Sequence, residues 1–406
     1  MWQTHKSNSD RYMEQIITNI NSAKWYEYAI LLFLMLWSGG GFTYGVFPEW
    51  MLFMLPLVGF IFFQKGYKLS KSACLFIGMV LMVHLLQMIS YGGAIINIIK
   101  PACVLFICAM FAKILSSKFV NIYVDLVYYI SLICLILWII CLFPFGLSLL
   151  KSVASSFPLL GWDNIENNTN VVTTLYIFSI PLEYDGVIRN SGPFWEPGRF
   201  TIYITLALAI VLFYFKESIT SKRSLVLILT NITTFSTTGY VAMSVIFLGY
   251  IFFSNIKRSY KLILFVILFA VVYYVGQLDF MTEKIAEQYA DDSTWSRFGA
   301  IAYHWSQIIQ SPLIGFGPFL SNVFANELFS SPNGLTDLMR YYGIPLSILF
   351  YFLLYRGTAQ YVSNSHWGMK IIVFSSLVLL CFSQTITYSP FFMVLYFFAF
   401  NTCSYD

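Results

Sequence analysis

In 406 residues, 58% are hydrophobic and only 10% are charged, against roughly 25% charged in an ordinary soluble domain. That composition excludes a water-soluble fold for most of the chain. The net charge of +4 is small, implies no nucleic-acid partner, and matters through its distribution, which sets topology.

Lys6, Asp10, Arg11 and Glu14 precede the first apolar run, which lacks the short apolar core and small-residue cleavage site of a signal peptide. The first helix is therefore expected to be retained. Apolar stretches follow at 24–42, 50–63, 72–90, 95–112, 122–143, 200–215, 224–235, 239–253, 262–275, 335–355, 367–385 and 390–401. Read as crossings they give an all-α polytopic membrane protein of about twelve transmembrane helices, with 1–406 as one transmembrane domain. The stretches 224–235 and 239–253 are short for a full crossing of about 30 Å. As a helical hairpin that only partly penetrates, they would lower the count to ten. The seven cysteines lie in or beside apolar stretches without CxxC spacing and read as packing residues.

Basic residues in short loops stay cytoplasmic. Lys6, Arg11 and Lys24; Lys65, Lys68 and Lys71; Lys113 and Lys118; Lys216, Lys222 and Arg223; Lys257, Arg258 and Lys261; and Arg356 with Lys370 occupy alternate joints. Both termini are then expected inside. The opposite face carries two long outer loops, about 146–199 and 276–334. Asp163, Glu166, Glu183, Asp185 and Glu196 lie in the first, and Asp279, Glu283, Glu287, Asp291 and Asp292 in the second. Within the first loop, 171–181 is apolar and β-branched but too short to cross, and is expected to pack on the membrane face. Within the second, Arg297, Ile301, His304 and Ile308 recur at helical spacing, with Trp305 beside them, and predict an amphipathic helix over 295–309 lying across the outer mouth. Long loops of this kind are where sites are built.

The densest cluster is Arg189-Asn190-Ser191-Gly192-Pro193-Phe194-Trp195-Glu196-Pro197-Gly198-Arg199. Two arginines flank one carboxylate, glycines and prolines fix turns, and Phe194 and Trp195 offer aromatic faces of the kind that stack on sugars. Arginine suits a diphosphate because its planar fork makes bidentate, charge-assisted hydrogen bonds. Glu196 suits a general base in a partly dry cavity. Bland roles fit as well: Arg199 as an interfacial anchor, the aromatic pair as part of an interfacial belt, and Glu196 as the partner of Arg189 or Arg199. In the second loop Arg297 is the best single candidate. His304 lies two turns on, where a lone histidine also fits a structural role. Lys100, near the outer end of the fourth stretch, is expected to snorkel or to face a cavity. Ser236-Thr237-Thr238-Gly239 reads as a tight turn between helices. No metal-ligand spacing, phosphate loop or dinucleotide fingerprint occurs, and no cofactor is implied.

The order Arg189-x-Ser-Gly-x-Phe-x-Glu-Pro-Gly, Ser236-Thr-Thr-Gly, Ser296-Arg297 with Trp305, Ser311-Pro-Leu-Ile-Gly-Phe-Gly317, and Asn333 before Gly343-Ile344 resembles the O-antigen polymerase and O-antigen ligase superfamily. The resemblance covers roughly the C-terminal half; residues 1–145 match only as apolar spans. It implies a C-type glycosyltransferase fold in the bacterial inner membrane, using an undecaprenyl-diphosphate-linked oligosaccharide on the periplasmic side. Arg189 and Arg297 would bind the donor diphosphate and Glu196 or a neighbour would assist the acceptor hydroxyl. Arg199, Trp195 and His304 are the further substrate-binding candidates. Ligases of the superfamily carry a His-Asn pair where this chain reads Pro332-Asn333. The missing histidine favours a repeat-unit polymerase over a ligase acting on lipid A core, with a chain-length regulator and a flippase as partners. The rival from another class is a lipid-linked oligosaccharide flippase or other transporter, whose ionisable groups would be expected near the bilayer midplane.

Overall fold

The computed structural model describes residues 23–41, 49–156, 174–180, 183–184, 187–254, 257–277, 282, 296–324, 333–362 and 366–401. The N-terminal basic residues Lys6 and Arg11, Cys403, and the acids Asp163, Glu166, Asp185, Asp279, Glu283, Glu287, Asp291 and Asp292 lie outside these, as does Pro332.

Each apolar stretch falls on a helix: α1 Trp25–Trp37, α2 Glu49–Gln64, α3 Lys71–Tyr91, α4 Ile96–Leu115 and α5 Phe119–Cys141 in the first third. After the first outer segment come α7 Pro197–Phe213, α8 Lys222–Thr233, α9 Thr237–Phe253 and α10 Arg258–Gly276. The last group is α13 Gly334–Ala359, α14 Trp367–Phe382 and α15 Pro390–Phe398. Among the described residues, four helices, α3, α4, α5 and α13, are long and apolar enough to cross a membrane. The segment expected to lie across the mouth is α11, Arg297–Ile308, followed by a short α12, Leu320–Val323. Two helices were not anticipated: the short α12, and α6, Pro144–Ala154, which occupies the start of the first loop. Pro144 sits in its first turn, where a missing N–H costs nothing. A two-residue hairpin, β1 Glu183–Tyr184 with β2 Val187–Ile188, completes that loop.

Exposure separates the helices by role. From Ile202 to Phe213 α7 is buried on every side, and so is all of α15. A helix apolar around its whole circumference belongs inside a bundle. Phe53, Phe63, Leu75, Ile89, Phe145 and Trp367 instead stand outward, each more than half exposed. In a chain this apolar such an outer surface is matched to lipid. Basic side chains near helix ends are paired: Lys118 with Glu27 at 3.0 Å, and Arg223 with Asp125 at 2.9 Å and Glu217 at 3.3 Å.

One long helix is broken. Inside α13, Gly343 has φ 75° and ψ 167°, a conformation that side chains resist. The break interrupts the backbone ladder, and the 311–317 turn fills it. Phe316 N–H donates to the Arg340 carbonyl at 2.9 Å and Ile344 N–H donates to the Pro312 carbonyl at 2.8 Å. Ser347 Oγ donates to the Gly343 and Leu338 carbonyls. Gln87 Nε2 reaches from α3 to the Ile314 and Tyr341 carbonyls at 2.5 and 2.9 Å. A Cβ on Gly343 would lie 2.4 Å from the Leu313 carbonyl oxygen. We therefore expect Gly343→Ala to cost about 1–3 kcal/mol in backbone strain alone, with the collision added. Its midpoint for loss of the monodisperse peak on heating in detergent should fall by several degrees. Gly78→Ala, which meets nothing within 4 Å in α3, should hold or gain up to about 1 kcal/mol. Equal midpoints for the two variants would contradict this account of the break.

Candidate functional site

The 189–199 segment is a rigid platform. Asn190 Oδ1 accepts from Gly192 N–H at 3.0 Å, closing a side-chain turn, while Asn190 Nδ2 donates to Thr233 Oγ1 at 3.0 Å and its backbone N–H to the Thr233 carbonyl at 2.9 Å. Gly192 takes φ 56° at the turn, and a Cβ there would meet the Phe200 ring at 2.5 Å. The chain then pairs with the end of α1: Gly41 N–H donates to the Pro193 carbonyl at 2.9 Å, and Gly40 bridges Phe194. On the other side, Ser179 N–H donates to the Gly192 carbonyl at 2.6 Å, so the 174–180 part of the apolar stretch is tied into this platform, with Phe178 and Ile180 buried. Trp138 Nε1 donates to the Ile188 carbonyl at 2.8 Å and holds β2 to α5.

The aromatic and basic residues of the motif divide on this platform. Phe194 is fully buried and stacks on Tyr203 with centroids 4.4 Å apart. It is therefore a core residue, and the expectation that it presents a face to sugars or to the interface is corrected. Trp195 stays half-buried beneath Arg199, whose Cζ lies 4.8 Å from the ring centroid. Arg199 also donates from Nη1 to the Ser38 carbonyl at 3.2 Å. Its guanidinium thus locks α7 to the end of α1. Arg189 donates from Nε to the Thr234 carbonyl at 3.2 Å in the α8–α9 turn. Ser236 caps α9, its Oγ accepting from Gly239 N–H at 3.3 Å, so the turn expected over 236–239 falls instead at 234–236 and Thr237 already opens the helix.

Glu196 is the N-cap residue of α7, but its side chain makes no capping bond. It also forms no ion pair with Arg189 or Arg199. Its charge acts on the start of α11. Arg297 is half-buried there. Burial pulls its guanidinium below the ordinary arginine range, and the Glu196 charge pulls it back up. Arginine stays cationic through such shifts. The two outer segments thus bring together a carboxylate and a guanidinium from residues 101 positions apart, within electrostatic reach and without a contact ion pair. Ser296 caps α11 through Gly299 N–H at 2.8 Å. Asn333, which caps α13, donates from Nδ2 to the Arg297 carbonyl at 3.4 Å. Between the loops, Gln384 lies against Gly198 with its side chain and against Gly334 with its carbonyl.

A buried polar chain behind α11 was not read from the sequence. Arg340 pairs with Asp337, both nearly inaccessible, and donates to Gln307 Oε1 of α11 at 3.3 Å. Tyr388 OH donates to the second Asp337 oxygen at 2.9 Å. The signal available was an acid and a base three residues apart in an otherwise apolar helix. His304 belongs to the same interface. Its Nδ1 lies 2.7 Å from Thr336 Oγ1, and the residue is buried against α13. In this arrangement it is a packing residue between α11 and α13, not an accessible group as a substrate-binding role would require. Among the described residues, no group of three His, Cys, Asp or Glu side chains could hold a metal ion.

Burial, and then the Arg340 charge, push the His304 imidazole down to about 3. An unfolded histidine titrates near 6.5. Between these values the unfolded chain takes up a proton that the folded chain refuses, so this contribution to stability is whole above about pH 6.5 and declines as pH falls towards 3. The thermal midpoint of the wild type should drop on acidification from about pH 7 to about pH 5, and His304→Gln should flatten that part of the profile. Superimposable slopes would remove the assignment. No family model matches the chain, and no curated protein or solved structure does either.

Proposed function

We propose that this protein is a membrane glycosyltransferase that polymerises undecaprenyl-diphosphate-linked oligosaccharide repeats into O-antigen or a related surface polysaccharide. The observation that carries the reading is the Glu196 charge acting on Arg297 from the other long loop, with no ion pair to Glu196 among the described residues. It is supported by the ordered sequence resemblance over the C-terminal half. On this reading the chain crosses the bacterial inner membrane about twelve times, with both termini cytoplasmic.

In the reaction, a sugar hydroxyl of the incoming lipid-linked repeat attacks the anomeric carbon of the growing chain. The bond between that carbon and the diphosphate oxygen breaks as the new glycosidic bond forms. The hydroxyl proton passes to Glu196, and the electron pair of the broken bond stays on the departing lipid diphosphate. Arg297 neutralises the charge that gathers there, with Arg189 as the second cation. Such a preorganised cation contributes most where water is scarce. On this reading Trp195, which lies under Arg199, packs against a sugar ring.

The test is the surface-glycan ladder in cells lacking the gene, complemented at matched protein levels. The deletion should leave lipid A core bearing a single repeat. Arg297→Ala should lower polymerisation by about 10²–10³, and Glu196→Gln by about 10²–10⁴, so neither restores the ladder. Loss of all glycan in the deletion would instead select a ligase or flippase. A normal ladder from both variants would remove these residues from the site.

A further inference from the structure

A second feature stands apart from the Glu196–Arg297 junction. A cavity of about 380 Å³ lies between the first turns of α4, the Pro318 turn, the broken part of α13 and the start of α15. Its walls are mostly apolar: Pro101, Val104, Leu105, Pro318, Tyr342 and Met393. At one side are Asn97 and Lys100, one turn apart on α4. Neither Glu196, Arg297, Arg189 nor Arg199 lines it.

Lys100 is exposed, and among the described residues it makes no hydrogen bond or ion pair. Its helical neighbours Ile96 and Ile99 are also exposed. An ammonium group therefore sits on an outward-facing apolar surface, beside a cavity whose walls are hydrocarbon and aromatic. A lysine near a helix end answers such a setting by holding its charge at the polar boundary. A ligand that fits both parts has an anionic head and an apolar tail.

We propose that this cavity binds one anionic phospholipid, its phosphate on Lys100 and Asn97 and part of an acyl chain along Val104, Leu105 and Met393. The count of charges selects the occupant. One ammonium and one neutral amide match a phosphodiester carrying a single negative charge, whereas a lipid diphosphate calls for several cations, as the arginine-bearing junction supplies. The far wall adds a consequence. Tyr388 borders the cavity and donates to Asp337, and Asp337 pairs with Arg340, which holds Gln307 of α11. Lipid seated here braces the buried chain that supports the helix carrying Arg297. The binding claim is independent of glycosyl transfer.

The full-length protein, purified in a neutral detergent, would be titrated with phosphatidylglycerol, diacylglycerol or undecaprenyl diphosphate and its bound lipid counted by native mass spectrometry. Wild type should retain phosphatidylglycerol in preference to both others once Arg297→Ala removes the junction's own anion affinity. Lys100→Gln should weaken that retention about fivefold, the scale of one lysine at an anionic lipid surface. Val104→Phe, which fills the cavity and keeps the lysine, should weaken it too. Lys151→Gln, an exposed lysine elsewhere, should leave it unchanged. Wild-type retention by both Lys100→Gln and Val104→Phe would overturn the proposal. So would an equal loss in Lys151→Gln, which would mean diffuse attraction, or retention of undecaprenyl diphosphate in place of phosphatidylglycerol.

Discussion

The placement of α11 and the elements around it depends on satisfying one interrupted backbone. A helix in lipid closes its own hydrogen bonds, and any break must find partners from protein. Gly343 makes such a break, and the answer comes from three directions: the 311–317 turn, Ser347 within the helix, and Gln87 from α3. The turn begins three residues after α11 ends, so repairing the break also fixes where α11 lies. A glycine deep in α13 thereby determines the position of a helix whose first residue is Arg297.

Charge follows the same logic. An arginine in an apolar bundle is tolerated only with a partner, and Arg340 has Asp337, itself bonded by Tyr388. Breaking such a pair by removing one member is far more costly than the pair is stabilising, because the other charge is left stranded. Its value here is directional. Gln307 is held from behind by Arg340, His304 by Thr336, and the Arg297 carbonyl by Asn333. Three contacts along one short helix leave it little freedom to roll. Arg199 and Arg189, by contrast, put at least one donor each into backbone carbonyls. The platform they stabilise is the one from which Glu196 projects.

Much of this was legible in the sequence. Hydropathy marked every helix of the core, because lipid demands long apolar runs whatever the packing inside. The amphipathic spacing of 295–309 marked α11, whereas Ser-Thr-Thr-Gly, read as a tight turn, supplies the cap and first turn of α9. What hydropathy cannot rank is which side chains face inward. Phe194 looks like Trp195 in sequence, yet one is stacked on Tyr203 in the core and the other lies at the surface of the platform. Helix α6 was missed because eleven residues of mixed polarity carry no crossing signal. Gly315 permits close backbone approach to α13, and Gly317 makes room for the Gln87 side chain of α3, partners that a one-dimensional pattern does not reveal.

The separation of Glu196 from Arg297 carries its own argument. A contact ion pair would have spent both charges on each other, and a carboxylate so held is a poor base because its ionised form is stabilised. At longer range the carboxylate still supports the half-buried guanidinium while keeping its lone pairs available. In the proposed transfer, a proton reaching Glu196 removes negative charge from beside Arg297 at the moment when negative charge builds on the departing diphosphate. The guanidinium thus exchanges one anion for another at nearly constant local charge. On the proposed reading a lipid-linked sugar enters between these two groups, and the tied 189–199 platform and the three-point support of α11 hold the two segments in place for it.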